Sequence, residues 1–171
     1  MLKTLQNAFR VKEVRQKLVY TFMMLIVFRI GSQMPIPGAN TSFFDELFAR
    51  YNNDAFGFLN SITGGSLTNM SVFALSITPY ITSSIIMQLL TIAIPKLEEM
   101  QRDGEEGRKK IQEYTRYLTV GLALMQSAAM AIGFGGQGLL LDFTALNVIV
   151  TVATMTAGSA VLMWIGERIT E

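Results

Sequence analysis

Ser76, Tyr80, Ser83, Ser84, Gln88 and Thr91 are the residues whose chemistry stands out. They lie in a stretch, residues 72–94, that is otherwise mostly apolar and carries no charge. On a helical wheel at about 100° per residue they fall within one arc of about 140°, with Ile77 inside it and Ile81 at its edge. Hydroxyls, a phenol and an amide can hydrate a surface or pair with polar groups. They do not make or break bonds without an activating base. The chain holds no His and no Cys, which excludes His general bases, thiol nucleophiles, disulfides and Cys/His zinc sites. No catalytic constellation, metal site or cofactor is expected. The remaining chemistry is hydration and hydrogen bonding along one side of an apolar helix, with branched aliphatic groups set into it, and that points to a membrane conduit rather than a simple anchor.

The elements that must position these groups follow from composition. The 171 residues are 50% hydrophobic and only 16% charged, with a mean hydropathy of +0.37, too apolar for an ordinary soluble domain. Residues 72–94, about 23 in number, would reach roughly 34 Å as a helix, against a hydrocarbon core of about 30 Å. Three other apolar runs approach spanning length, so four spans are expected: 18–34, 72–94, 117–134 and 147–166. None alternates as a barrel strand would. The fold class expected is therefore an all-α membrane protein with four transmembrane helices and a short re-entrant segment.

Charge sets the expected orientation. Lys3, Arg10, Lys12, Arg15 and Lys17 precede the first span, and Lys96, Arg102, Arg108, Lys109, Lys110 and Arg116 lie between the second and third. Between residues 35 and 71 the only cation is Arg50, and 135–147 has none. Lys and Arg bias places the basic segments, and the N-terminus, on the cytoplasmic side. The net charge of +1 gives no global pull toward nucleic acid. The basic start followed by an apolar run is not read as a cleaved signal, because Pro35-Ile36-Pro37 stands where small residues would be needed.

Along the chain, residues 1–17 read as a basic amphipathic segment on the membrane surface. Prolines 35 and 37 end the first span and open an outer loop, 35–55. Arg29, inside that span, has two readings. It snorkels toward the nearby interface, which is the expectation, or it meets an acid or a wet cavity. Residues 56–70 are semi-apolar, too short to span and rich in Gly and Ser, which suggests a re-entrant segment buried in protein or lining a wet cavity. Residues 95–116 read as a charged hairpin turning at Gly104 and Gly107. A second outer loop covers 135–146, and 167–171 is a short cytoplasmic end. The pairs Ala153/Ala157 and Thr154/Gly158 have the spacing that permits close helix packing. Gly133-Phe134-Gly135-Gly136-Gln137-Gly138 matches a dinucleotide fingerprint in letters only, since a spanning helix, not a strand, precedes it.

The stretches from Leu25 to Gly38, from Ser76 to Leu90 and from Gly104 to Tyr117 together resemble the SecY family, the central subunit of the bacterial Sec protein-conducting channel. Leu25-Ile26-Val27-Phe28-Arg29-Ile30-Gly31 with Pro35-Ile36-Pro37-Gly38 resembles that family's first span. The run from Ser76-Ile77-Thr78-Pro79-Tyr80 to Gln88-Leu89-Leu90 is similar to its second. Gly104-Glu105-Glu106-Gly107-Arg108-Lys109-Lys110-Ile111 with Tyr114-Thr115-Arg116-Tyr117 resembles the loop entering its third, and Gly166-Glu167-Arg168-Ile169-Thr170 also fits. The resemblance implies that Ile77 and Ile81 belong to a hydrophobic pore ring. It implies that Phe58, Leu59, Ile62, Gly64, Gly65 and Leu67 belong to a plug, and Thr82, Ile85, Gln88 and Gln126 to one side of a lateral gate. Arg108, Lys109, Lys110 and Arg116 would dock cytoplasmic partners. The partners implied are the small subunits SecE and SecG, the motor ATPase SecA, the ribosome, signal sequences of exported proteins, membrane lipid and the remaining spans of the channel. The location implied is the bacterial cell membrane.

The family has ten spans in two pseudo-symmetric halves, and this chain stops just after the fourth. It is therefore expected to be the N-terminal portion of a channel, not competent alone. Two other readings compete with this one. Half of an unrelated secondary transporter would bind a small solute at Ser83, Ser84 and Gln88, and a four-helix membrane scaffold would transport nothing.

Overall fold

The computed structural model describes residues 11–51, 58, 61 and 64–170, with the backbone alone for 48–51. Most of the amphipathic segment, 1–10, and much of the re-entrant segment, including Leu59 and Ile62, lie outside the described residues. In chain order the helices are α1 (Lys12–Gly31), α2 (Phe43–Tyr51), α3 (Thr78–Ala93), α4 (Pro95–Arg102), α5 (Glu105–Phe134), which runs on through a π-helical turn (Gly135–Leu139), and α6 (Ala145–Thr170). The described residues form no strand, only isolated bridges between Pro35 and Ser71 and between Ala39 and Leu140. The protein is an all-α membrane protein.

By length and apolarity, α5 with its π turn and α6 can each cross a membrane, and the pair α3 and α4 can do so as one span broken by a 102° bend. α1 does not pass the same measure, because Lys12, Glu13, Arg15 and Lys17 at one end and Arg29 near the other interrupt its apolar run. Two or three spans are therefore supported on these grounds, and a fourth crossing, through α1, belongs to the proposal below.

The helix within residues 72–94 is shorter than its apolar length suggests. It covers 16 residues, starting at Thr78 with Pro79 in its first turn, the position where proline's missing N–H costs nothing. The residues before it form turns. Ala74 N donates to Ser71 O at 2.9 Å and Ser76 N to Phe73 O at 2.8 Å, and Ser76 takes φ 54°. Irregular backbone survives at membrane depth only where protein surrounds it, and Ser71, Phe73 and Ala74 are indeed buried. At the other end Ile94 is extended and Pro95 opens α4, which produces the bend.

The expected hairpin is also rebuilt. Gly104, at φ 80°, makes the turn between α4 and α5. Gly107 is no turn point. It is helical and buried in α5, and a Cβ there would strike the carbonyl of Met100 on α4, so glycine permits the two helices to touch.

α5 packs along both α3 and α6, and α1 leans on α6. Phe28 of α1 stacks on Phe73, centroids 5.8 Å apart, beside Leu162 and Ile165 of α6. A larger cluster gathers the chain reversals at one end: Ile36, Phe43, Phe44, Met70, Ala74, Leu139 and Met155. Backbone bonds tie the same segments together, from Ile36 N to Met70 O at 2.9 Å, Val72 N to Met34 O at 3.0 Å, and Asn40 N to Leu139 O at 2.8 Å. The turn segment before α3 is thus clamped between the exit of α1 and the body of α5 and α6.

Candidate functional site

The polar arc of α3 divides into two roles. Ser83 and Thr91 are buried, and their hydroxyls donate within their own helix, to Pro79 O at 2.7 Å and Gln88 O at 2.7 Å. That is the usual way a hydroxyl is satisfied inside an apolar helix. Tyr80, Ser84, Gln88 and Thr91 line a cleft of about 340 Å³ with Gln101 of α4 and Arg108, Ile111, Gln112 and Thr115 of α5. The polar side of α3 therefore faces another polar helix surface.

The branched apolar residues take a different direction. Ile81 and Ile85 are each about half exposed, at 50% and 51%, and Leu89 and Ile92 more so. Ile77 is half-buried, caps the start of α3 and packs toward Gly166 of α6. Ile81 sits one turn further, its N donating to Ile77 O at 3.1 Å. These two residues are thus adjacent where irregular chain becomes helix, and only Ile81 is open.

The four residues that the resemblance assigns to a gate do not share one cleft. Thr82 is half-buried and donates to Thr78 O at 3.0 Å, Ile85 is exposed, and Gln88 lines the polar cleft. Gln126 lies elsewhere, in a second cleft of about 480 Å³ with Leu67, Leu75, Thr78, Met130 and Phe134. That cleft brings Leu67 of the re-entrant segment against α5.

Of the re-entrant residues, Phe58 is exposed. Gly64 and Gly65 follow each other at φ 62° and 82°, a conformation that glycine alone adopts without strain. They start a tight coil in which Asn69 N bonds Gly65 O at 3.1 Å and Ser71 N bonds Ser66 O at 3.0 Å. The Ser66 hydroxyl is buried without a partner. Arg29 reaches this coil, its Nη1 donating to Gly64 O at 2.7 Å. Neither an acid nor snorkelling alone accounts for that cation, because its partner is a backbone carbonyl.

Arg108, Lys109 and Lys110 are exposed in the first turns of α5. Arg116 is committed within the fold. Its Nη2 lies 2.9 Å from Oε2 of Glu167 on α6, whose side chain is only 6% exposed. Its Nε donates to Oε1 at 3.0 Å, and Gln112 adds a bond to the same oxygen at 3.3 Å. Sequence reasoning gave Glu167 no role. The available signal was an acid at the edge of an apolar run, opposite an arginine at the matching edge of the neighbouring antiparallel run.

The family model for SecY matches residues 71–171. Proteins named "Protein translocase subunit SecY" are similar over nearly the whole chain. That of Halalkalibacterium halodurans is 46% identical across 99% of this chain and 40% of its own length. That of Pseudomonas aeruginosa is 44% identical across 93% of this chain and 36% of its own, and that of Bacillus subtilis 42% identical across 99% and 40%. The chain thus spans about 40% of the length of the curated relatives it matches.

Proposed function

The chain belongs to the SecY family, and on that premise we propose that it forms one wall of a protein-conducting channel in the bacterial cell membrane, with its N-terminus in the cytoplasm. The channel moves unfolded polypeptides across the bilayer and releases signal sequences sideways into lipid. The observation that carries this reading is the exposed aliphatic edge of α3, Ile81 and Ile85, beside the half-buried Ile77. A narrow ring of such groups is poorly hydrated and resists ions and water, yet offers an extended chain no polar partner to hold it.

In this reading Ile77 and Ile81 supply part of the ring. The coil 64–70, with Phe58 and the residues around it, is the plug. Thr82, Ile85, Gln88 and Gln126 contribute one side of the lateral gate. Arg108, Lys109 and Lys110 dock SecA or the ribosome, and Arg116 does so only secondarily, given its bond to Glu167. α1 makes the fourth crossing. The open face of α3 is closed by the remaining spans of the channel, with SecE and SecG bracing the assembly.

The test is conductance. In the complete channel, Ile77→Ser combined with Ile81→Ser is expected to raise ion leak across planar bilayers in the absence of substrate and to relax the demand for a strong signal sequence. Unchanged leak together with unchanged signal-sequence selectivity would remove both residues from the ring.

A further inference from the structure

We infer that Arg29 is a positioning residue for the coil 64–70: its guanidinium fastens the Gly64 carbonyl to α1 and so holds the near end of the plug-like segment in place. The far end is already fixed to the same part of the chain. Met70 O accepts from Ile36 N at 2.9 Å, Val72 N donates to Met34 O at 3.0 Å, and Ser71 bridges Pro35. Backbone bonds at one end and a side chain at the other make an unequal pair of fastenings. Only the side chain can let go without breaking the bridge.

The geometry suits a fastening. Arg29 Nη1 lies 2.7 Å from Gly64 O, within the range of a strong bond from a charged donor. Gly64 at φ 62° turns its carbonyl toward α1, and a Cβ built there would stand 3.4 Å from Nη1 and 4.0 Å from the Phe28 ring. The left-handed backbone that glycine adopts there thus sets the carbonyl's direction. A cation in an apolar helix is costly unless it is paired or hydrated, so the bond also answers why an arginine is tolerated in α1. Beyond Gly64 the coil carries its own bonds, from Thr68 Oγ1 to Gly65 O at 3.1 Å and Ser71 Oγ to Ser66 O at 3.1 Å, and Leu67 and Met70 pack on the larger cluster, so release of the arginine frees the Gly64 end while the Met70 end stays anchored.

The inference rests on the plug reading only for its effect on conductance, and the experiment separates the two. The chain has no cysteine, so Ser66→Cys supplies a unique probe in this region. Ser66 is fully buried and its hydroxyl has no partner, so a thiol costs little there. In the complete channel, reconstituted in vesicles, the rate of labelling of that cysteine by a membrane-impermeant maleimide reads how often the coil opens. Loss of one charge-assisted bond predicts that Arg29→Gln speeds labelling by roughly tenfold. Arg29→Lys, which keeps a donor and a charge, should restore most of the slow rate. Thermal stability measured in parallel shows whether a change is local. Faster labelling at unchanged stability, with rescue by lysine, supports the fastening. Labelling unchanged in Arg29→Gln overturns it, as does faster labelling that lysine does not rescue or that follows a general loss of stability. Ion leak then reads the other question. Faster labelling with raised leak supports the plug as well, whereas faster labelling with unchanged leak leaves the fastening standing and removes the plug.

Discussion

Replacing Arg116 with methionine is expected to destabilise the full-length protein by about 2–3 kcal/mol, and replacing Glu167 with leucine as well is expected to recover most of that loss. The asymmetry follows from burial. Glu167 is 6% exposed and Arg116 45%, so losing the arginine leaves a carboxylate in a poor dielectric, with Gln112 at 3.3 Å its remaining side-chain partner among the described residues. Breaking a fully buried pair costs about 3–5 kcal/mol, and the half-exposed arginine lowers the figure. Removing both charges removes the desolvation cost along with the attraction, and methionine and leucine refill most of the volume. Arg116→Lys should fall between, since lysine cannot reproduce the forked contact of Nε and Nη2 with both carboxylate oxygens. Thermal unfolding of the wild type, Arg116→Met, Glu167→Leu and the double variant in detergent completes the cycle. A double variant as unstable as Arg116→Met would show that the pair stabilises by attraction rather than by cancelling a burial cost.

The same cycle separates structure from docking. Arg116 joins the charged ends of α5 and α6, and it was also expected to meet cytoplasmic partners. If docking matters, the double variant regains stability but not binding of a cytoplasmic partner. If it does not, binding returns with stability.

The helices α5 and α6 were legible because they contain long apolar runs, and hydropathy reads such runs directly. Their true extents were not, because Glu105, Glu106, Arg108, Lys109, Lys110 and Gln112 are good helix formers and carry α5 past the apolar boundary at 117. Hydropathy finds where a helix meets an apolar medium, not where its hydrogen bonds stop. The polar arc of α3 was legible as a direction on a wheel, and the structure keeps Tyr80, Ser84, Gln88 and Thr91 together. What faces them was not legible, since a wheel has no neighbours, and the answer is Gln101, Arg108, Gln112 and Thr115 on α4 and α5. The late start of α3 had a sequence signal in Pro79, which favours a first turn. The tight turns before it depend on Met34, Phe28 and α6, distant in sequence, and the Glu167 pair depends on the antiparallel register of two helices. Contacts of that kind are fixed by packing, which no local pattern encodes.

The largest steric effect is expected at Gly158, where valine should destabilise the protein by about 3 kcal/mol. Gly158 is buried in α6, and a Cβ there would overlap the carbonyl of Val72 and stand 3.0 Å from that residue's Cγ1. Helix propensity works the other way, since glycine costs about 1 kcal/mol relative to alanine inside a helix. The clash wins because its partner is backbone that cannot step aside. Val72 N is bonded to Met34 O and Ser71 bridges Pro35, so moving the carbonyl away from α6 means pulling the anchor of coil 64–70 off the exit of α1. Ala157→Val is the control. Ala157 is exposed one position earlier and lines an open apolar groove between α5 and α6, so the same side chain should change stability by less than about 0.5 kcal/mol there. Comparable thermal midpoints for the two variants would mean that Val72 does not rest on α6. A loss confined to Gly158→Val would tie the stability of the full-length protein to the anchoring of coil 64–70 against α6.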